Sequence, residues 1–126
     1  GLEVDAIDGA PGVHSARYAG EGGDDGRNVE KLLGALAHLN DPAQRSARFH
    51  ATVVMLWPDG REVVAEGSVE GTIATEPRGI GGFGYDPVFV PMEGDGRTFG
   101  QMGPDEKHGI SHRGRALAEL VRLLDD

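Results

Sequence analysis

The chain has no cysteine, which excludes disulfides, thiol nucleophiles and cysteine-ligated zinc and fits a reducing, cytoplasmic setting. It also lacks any apolar run of the length a membrane helix needs, so no membrane partner is expected. Gly1 opens directly into Leu-Glu-Val-Asp-Ala-Ile without the basic and apolar regions of a signal peptide. The absent initiator Met is expected of a chain that has been processed or cut from something longer. Positive charge is scarce: 12 Lys and Arg against 21 Asp and Glu leave a formal charge of −9, a field that repels a nucleic-acid backbone. Polymeric DNA and RNA are therefore not expected partners, whereas a small polyphosphate is compatible where local cations and a divalent metal screen it. A Walker A loop, a nucleophile elbow and a dinucleotide fingerprint are all missing. The histidines, His14, His38, His50, His108 and His112, form no ordered metal box, because Gly109 and Ser111 interrupt the one four-residue spacing.

What is present is one domain's worth of globular sequence, 126 residues with 38% hydrophobic and 26% charged side chains, read as a single domain over residues 1–126. Leu2 to Ile7 alternates apolar and acidic residues and predicts a half-buried strand. Asp24 or Asp25 caps a predicted helix from Asp25 to Leu39, with Val29, Leu32, Leu33, Leu36 and Leu39 at three- and four-residue steps. Arg48 to Trp57 and Arg61 to Val69, joined at Pro58-Asp59-Gly60, predict an antiparallel hairpin with Phe49, Ala51, Val53, Met55 and Trp57 on one face. Val88 to Val90 is a short apolar strand, and Pro104 with Asp105 and Glu106 opens a helical turn. Ser111 caps a last helix whose expected buried face is Leu117, Leu120, Val121 and Leu124. The order predicts a mixed α/β fold with an at least partly antiparallel sheet.

Chemistry concentrates in two segments. Gly81 to Pro87 places Phe83 among glycines, either to stack on a flat base or to fold back and plug the sheet end. Asp86, held extended by Pro87, either accepts hydrogen bonds from a ligand or makes an everyday Asp-Pro turn, and Tyr85 stands on the same footing. In the second segment Lys107 suits a phosphate or the face of a base. His112 and Arg113 follow Ser111 at a helix start, where a cation is electrostatically misplaced. A guanidinium or imidazolium aimed at a base there prefers a 6-oxo acceptor over the 6-amino donor of adenine. Solvated charge is the plain alternative. The acidic residues Asp24 and Asp25, with Glu3, Asp5 and Asp8, offer oxygen to magnesium or are simply solvated.

Gly1 to Gly20, Asn28 with Lys31-Leu32-Leu33, Ala47-Arg48-Phe49, Gly81 to Phe89, Thr98-Phe99, Glu106-Lys107 and Ile110 to Gly114 closely resemble the house-cleaning purine nucleoside triphosphate pyrophosphatases, the inosine triphosphatase or dITP/XTP pyrophosphatase family. The resemblance covers essentially the whole chain in order. It implies an inosine triphosphatase-like fold and magnesium-dependent hydrolysis of inosine, deoxyinosine and xanthosine triphosphates to the monophosphate and pyrophosphate, in a homodimer. By the same resemblance Phe83, Gly84, Tyr85, Asp86, Lys107, His112 and Arg113 are the substrate-binding residues: Phe83 against the purine, Lys107 alongside the nucleotide, His112 and Arg113 at the 6-oxo edge. Gly100 and His108 depart from the family's common Ala and Asn. Family members carry a strand, a lysine-containing phosphate loop and an Asp-Asp-Ser before the Gly-Leu that is here Gly1-Leu2, so the general base and the magnesium ligands are expected upstream of Gly1. No catalytic or metal-binding residue is accordingly expected within the chain, and negligible hydrolysis is expected of it alone. A non-catalytic purine nucleotide-binding module is the alternative reading.

Overall fold

The computed structural model describes residues 1–20 and 22–125. The elements in chain order are β1 (Leu2–Val4), β2 (Ala10–Pro11), α1 (Asp25–Ala35), β3 (Ser46–Leu56), β4 (Glu62–Ile73), β5 (Phe89–Pro91), α2 (Pro104–His108) and α3 (His112–Asp125), with short 3-10 turns between them. The strands form a five-stranded sheet in the order β2-β1-β3-β4-β5. Each of the four ladders is antiparallel. The mixed α/β fold expected from the element order is what these strands and helices make, and the two prolines that end strands, Pro11 and Pro91, both sit on edge strands, where a missing N–H donor is tolerated.

The first strand is shorter than its alternating pattern predicts. Leu2 and Val4 are fully buried opposite Phe49 and Ala47, but Asp5 accepts hydrogen bonds from Ser46 Oγ at 2.7 Å and Arg48 Nη1 at 3.0 Å. Those bonds turn the chain into a 3-10 turn over Asp5–Ile7. Helix α1 starts as predicted, with Asp24 Oδ1 accepting the Arg27 N–H at 2.9 Å. It stops at Ala35 instead of Leu39 because the carbonyls of Leu36 and Leu39 turn to Arg45 Nη1, at 2.7 and 3.0 Å. The buried Arg45 side chain also donates to the carbonyls of Ile73 at 2.7 Å and Ala74 at 2.8 Å, so one guanidinium fastens the end of α1 to the end of β4.

The hairpin pairs Leu56 with Glu62 and Phe49 with Val69. Strand alternation then sends Ala47 and Phe49 of β3, and Ala65, Val69 and Ile73 of β4, into the core, where all five are buried. Phe49, Phe89 and Phe99 form an aromatic cluster with centroids 4.6, 5.3 and 6.1 Å apart, and they share one hydrophobic core with Leu2, Leu32 and Val88.

Helix α3 lies against β4 and β3 in an orientation that the leucine spacing does not predict. Ala116 and Leu120 are buried, whereas Leu117, Val121 and Leu124 are 48%, 58% and 44% exposed. The cause is a small-residue contact: a Cβ built on Gly67 would lie 2.3 Å from the Ala116 nitrogen and 2.4 Å from the His112 oxygen. The helix backbone rests on bare strand backbone, and its larger apolar residues rotate outward. Gly67→Ala is therefore expected to lower unfolding free energy by about 1–3 kcal/mol through overpacking, measured by urea denaturation. Ser68→Ala, on the exposed side of the same strand, should stay within about 0.5 kcal/mol.

Candidate functional site

A cleft of about 640 Å³ opens where the start of β1, the start of α1, the loop 81–86, α2 and the first turn of α3 meet. That is the size of a small-molecule pocket. Phe83, Lys107, His112 and Arg113 all line it, so residues separated by as many as 30 positions face one space.

Phe83 does not fold back into the sheet end. It is 56% exposed, with Lys107 Nζ 4.3 Å and the Arg113 guanidinium 4.8 Å from its ring centroid. Both distances lie in the range of attraction between a cation and an aromatic face. The backbone around it is shaped by glycine: Gly82 and Gly84 have φ of 71° and 60°, and a Cβ on Gly82 would meet the Asp86 carboxylate at 2.0 Å.

Asp86 is buried and committed. Its Oδ2 accepts the Phe83 N–H at 2.9 Å and also receives the Lys107 ammonium. Through Oδ2 it clamps the loop and holds Lys107 at the Phe83 ring, while the residue also lines the cleft. Tyr85 is also buried, and its hydroxyl donates to the Ser15 carbonyl at 2.7 Å; burial pushes its pKa up from the ordinary phenol value. The Gly84 N–H is likewise occupied, by Asp25 Oδ2 at 2.9 Å. Gly84, Tyr85 and Asp86 thus build the loop's shape, while Phe83, Lys107, His112 and Arg113 carry its open chemistry.

His112 stacks on Phe49, with centroids 4.8 Å apart and planes 11° from parallel. Burial, with the positive charges of Arg113 and Lys107, pulls its pKa down from 6.5 to about 4. The ring is neutral at pH 7, which corrects the expectation of a possible imidazolium. Its Nδ1 is buried without a hydrogen-bond partner, an exception to the usual pairing of buried polar atoms. Arg113 beside it is exposed and offers fixed donors. Ser111 Oγ accepts the Gly114 N–H at 3.1 Å, so the predicted cap does hold the turn that presents both residues.

From sequence, Phe49 is expected only on the hairpin face and Asp25 only as a helix cap or magnesium ligand; their contacts with the His112 ring and the Phe83 loop are not expected. The inward register of β3 is the signal for the first. For the second it is a pair of adjacent carboxylates where a helix start needs one. Asp24 and Asp25 do not form a metal site with neighbours: among the described residues there is no group of three His, Asp or Glu side chains arranged to hold an ion.

Fold and cleft together define an α/β ligand-binding domain whose site combines an exposed ring, fixed cations and a neutral imidazole. The model of the Ham1 family matches residues 1–123; this chain belongs to that family. A protein named dITP/XTP pyrophosphatase from Porphyromonas gingivalis is 55% identical over 124 residues, 98% of this chain and 62% of its own length. The protein of the same name from Thermus thermophilus is 52% identical over 126 residues, all of this chain and 59% of its own. Among solved structures, the Staphylococcus aureus Ham1 protein superimposes with a TM-score of 0.91 at 42% identity, over 99% of this chain and 63% of its own. A HAM1 protein from Coxiella burnetii gives 0.89 at 42% identity, over 99% and 64%. The chain spans between 52% and 63% of the length of such curated relatives.

The lowered His112 pKa fixes a pH effect. Between pH 6.5 and about 4 the unfolded chain binds a proton at this position that the folded chain refuses, so stability falls as pH drops through that window and its slope from this group vanishes above it. Unfolding midpoints compared from pH 7.5 to 4.5 should show a shallower decline for His112→Gln than for the parent.

Proposed function

We propose that this chain carries the purine-selecting part of a hydrolase that splits inosine, deoxyinosine and xanthosine triphosphates into monophosphate and pyrophosphate, removing them from the nucleotide pool. One observation carries the reading. Phe83, Lys107, His112 and Arg113 converge on a single cleft in a chain whose half-identical relatives are named dITP/XTP pyrophosphatase.

The roles follow from the chemistry. Phe83 stacks on the flat purine, and the cations at its ring lie against the nucleotide. Arg113 donates to the 6-oxo oxygen shared by hypoxanthine and xanthine. Adenine presents an amino donor at the same edge, which leaves the guanidinium without an acceptor. A neutral His112 lines the cleft beside Arg113 and gives the base a flat polar neighbour without adding charge. Its ring cannot rotate freely while it stacks on Phe49.

A divalent cation, magnesium by expectation, neutralises a triphosphate and favours attack on it. The described residues contain no cluster suited to hold one, so no metal-supported step is assigned to any residue of this chain. A cytoplasmic homodimer is the expected setting. No described helix is long and apolar enough to cross a membrane, and the outward side chains of Leu117, Val121 and Leu124 favour association.

The test is calorimetric titration of the purified chain with inosine and adenosine triphosphates. Inosine triphosphate should bind at least about tenfold tighter, the discrimination expected when a site's polar group is left unpaired by the wrong base. Equal affinity, or a preference for adenosine, overturns the reading. Phe83→Ala should weaken binding of both by about 1–3 kcal/mol, whereas Arg113→Ala should mainly narrow the ratio between them.

A further inference from the structure

Two successive backbone amides of the Phe83 loop are each held by a carboxylate, and the two carboxylates come from different parts of the chain. The Phe83 N–H donates to Asp86 Oδ2 at 2.9 Å, within the loop itself. The Gly84 N–H donates to Asp25 Oδ2 at 2.9 Å, across 59 positions of sequence. Asp86 shapes the loop and joins it to Lys107, but only Asp25 of this pair ties it to α1.

Asp25 is not needed where it stands for the usual reason. Asp24 already caps α1 through the Arg27 N–H, and a second acidic residue in the first turn serves the helix dipole without any directed contact. Instead its carboxylate crosses the mouth of the cleft, which it lines, to a glycine amide held at φ 60°. The neighbouring residue is fastened as well, since the Tyr85 hydroxyl donates to Ser15. Phe83 itself remains more than half exposed, so the aim of its ring depends on how firmly the backbone on either side is held. A charge-assisted bond to a loop amide supplies that hold from outside the loop.

We propose that Asp25 is a positioning residue for nucleotide binding: by latching the Gly84 amide to the start of α1, it fixes the Phe83 ring over the cleft. This rests on the purine-recognition reading above, and its test contains a readout that needs no ligand. Amide hydrogen exchange at Gly84, followed by NMR on the intact chain, is compared in the parent, Asp25→Ala, Asp25→Asn and Asp24→Ala. Inosine monophosphate binding is titrated on the same four proteins.

Asp25→Ala should speed Gly84 exchange by roughly tenfold and weaken inosine monophosphate several-fold, as expected on losing a single charge-assisted hydrogen bond. Asp25→Asn keeps an acceptor oxygen and should restore most of both. Asp24→Ala should lower the unfolding midpoint through the lost cap while moving neither readout. Unchanged Gly84 exchange in Asp25→Ala overturns the latch. So does an equal loss of nucleotide affinity in Asp24→Ala and Asp25→Ala, which would assign the effect to helix stability. A parent chain that fails to bind inosine monophosphate counts against purine recognition, and the exchange comparison still decides the latch.

Discussion

The contact between the first turns of α3 and the bare backbone of β4 at Gly67 governs the arrangement of the rest. Because no side chain stands between helix and strand, the helix start is pressed onto the sheet, and His112 comes to rest face to face on Phe49. Phe49 in turn packs on Phe89 and Phe99, so the cleft's imidazole sits on the aromatic core. A close approach of this kind has little slack, since backbone atoms cannot move aside as the far end of a long side chain can. The same approach turns Leu117, Val121 and Leu124 away from the sheet. Site geometry and the exposed apolar stripe are two results of one packing choice.

Charge is balanced at the cleft, where Lys107 and Arg113 share the lining with Asp25 and Asp86, and unbalanced over the whole molecule. The chain carries −9 overall, yet Lys107 and Arg113 flank one aromatic ring and His112 beside them stays uncharged. Asp86 is the counterweight that keeps Lys107 in the site. Its carboxylate is buried against the ammonium and the Phe83 amide, a pairing in which loss of either charge would leave the other unpaired away from water. Two cations are thus gathered at one ring of an acidic molecule, with the Asp25 and Asp86 carboxylates in the same lining.

Much of this was legible in the sequence because the signals are local. The turn chemistry at Pro58-Asp59-Gly60 marks the hairpin, Asp24 marks the start of α1, and Ser111 marks the turn that carries His112 and Arg113. Phe83 in its glycine run and the cations after Gly103 point to the cleft that they share. What was not legible depends on distance or size. The spacing of large apolar residues on α3 fits a helix facing a sheet through leucines, and it cannot reveal that Ala116 opposite Gly67 makes the contact. Asp86 reads from sequence as either a ligand acceptor or an everyday Asp-Pro turn, and only the structure shows its Oδ2 on the Phe83 amide and the Lys107 ammonium. The pairing of Asp25 with Gly84 joins residues far apart in sequence, and the one local hint is a carboxylate more than the helix start requires. Helix α1 ends early for a similar reason, since its last carbonyls belong to an arginine outside the helix.

That arginine gives the two ends of the molecule different sensitivities. Arg45 serves four carbonyls, at Leu36, Leu39, Ile73 and Ala74, with a guanidinium that burial lowers in pKa but that stays charged throughout the ordinary pH range. It acts as a rivet with no titration point, joining α1 to β4 alike in mild acid and mild base. The cleft's imidazole, by contrast, takes up a proton in the folded chain near pH 4. Proton uptake therefore unsettles the α3 side of the chain, while the α1 side remains fastened by a charge that acid does not remove.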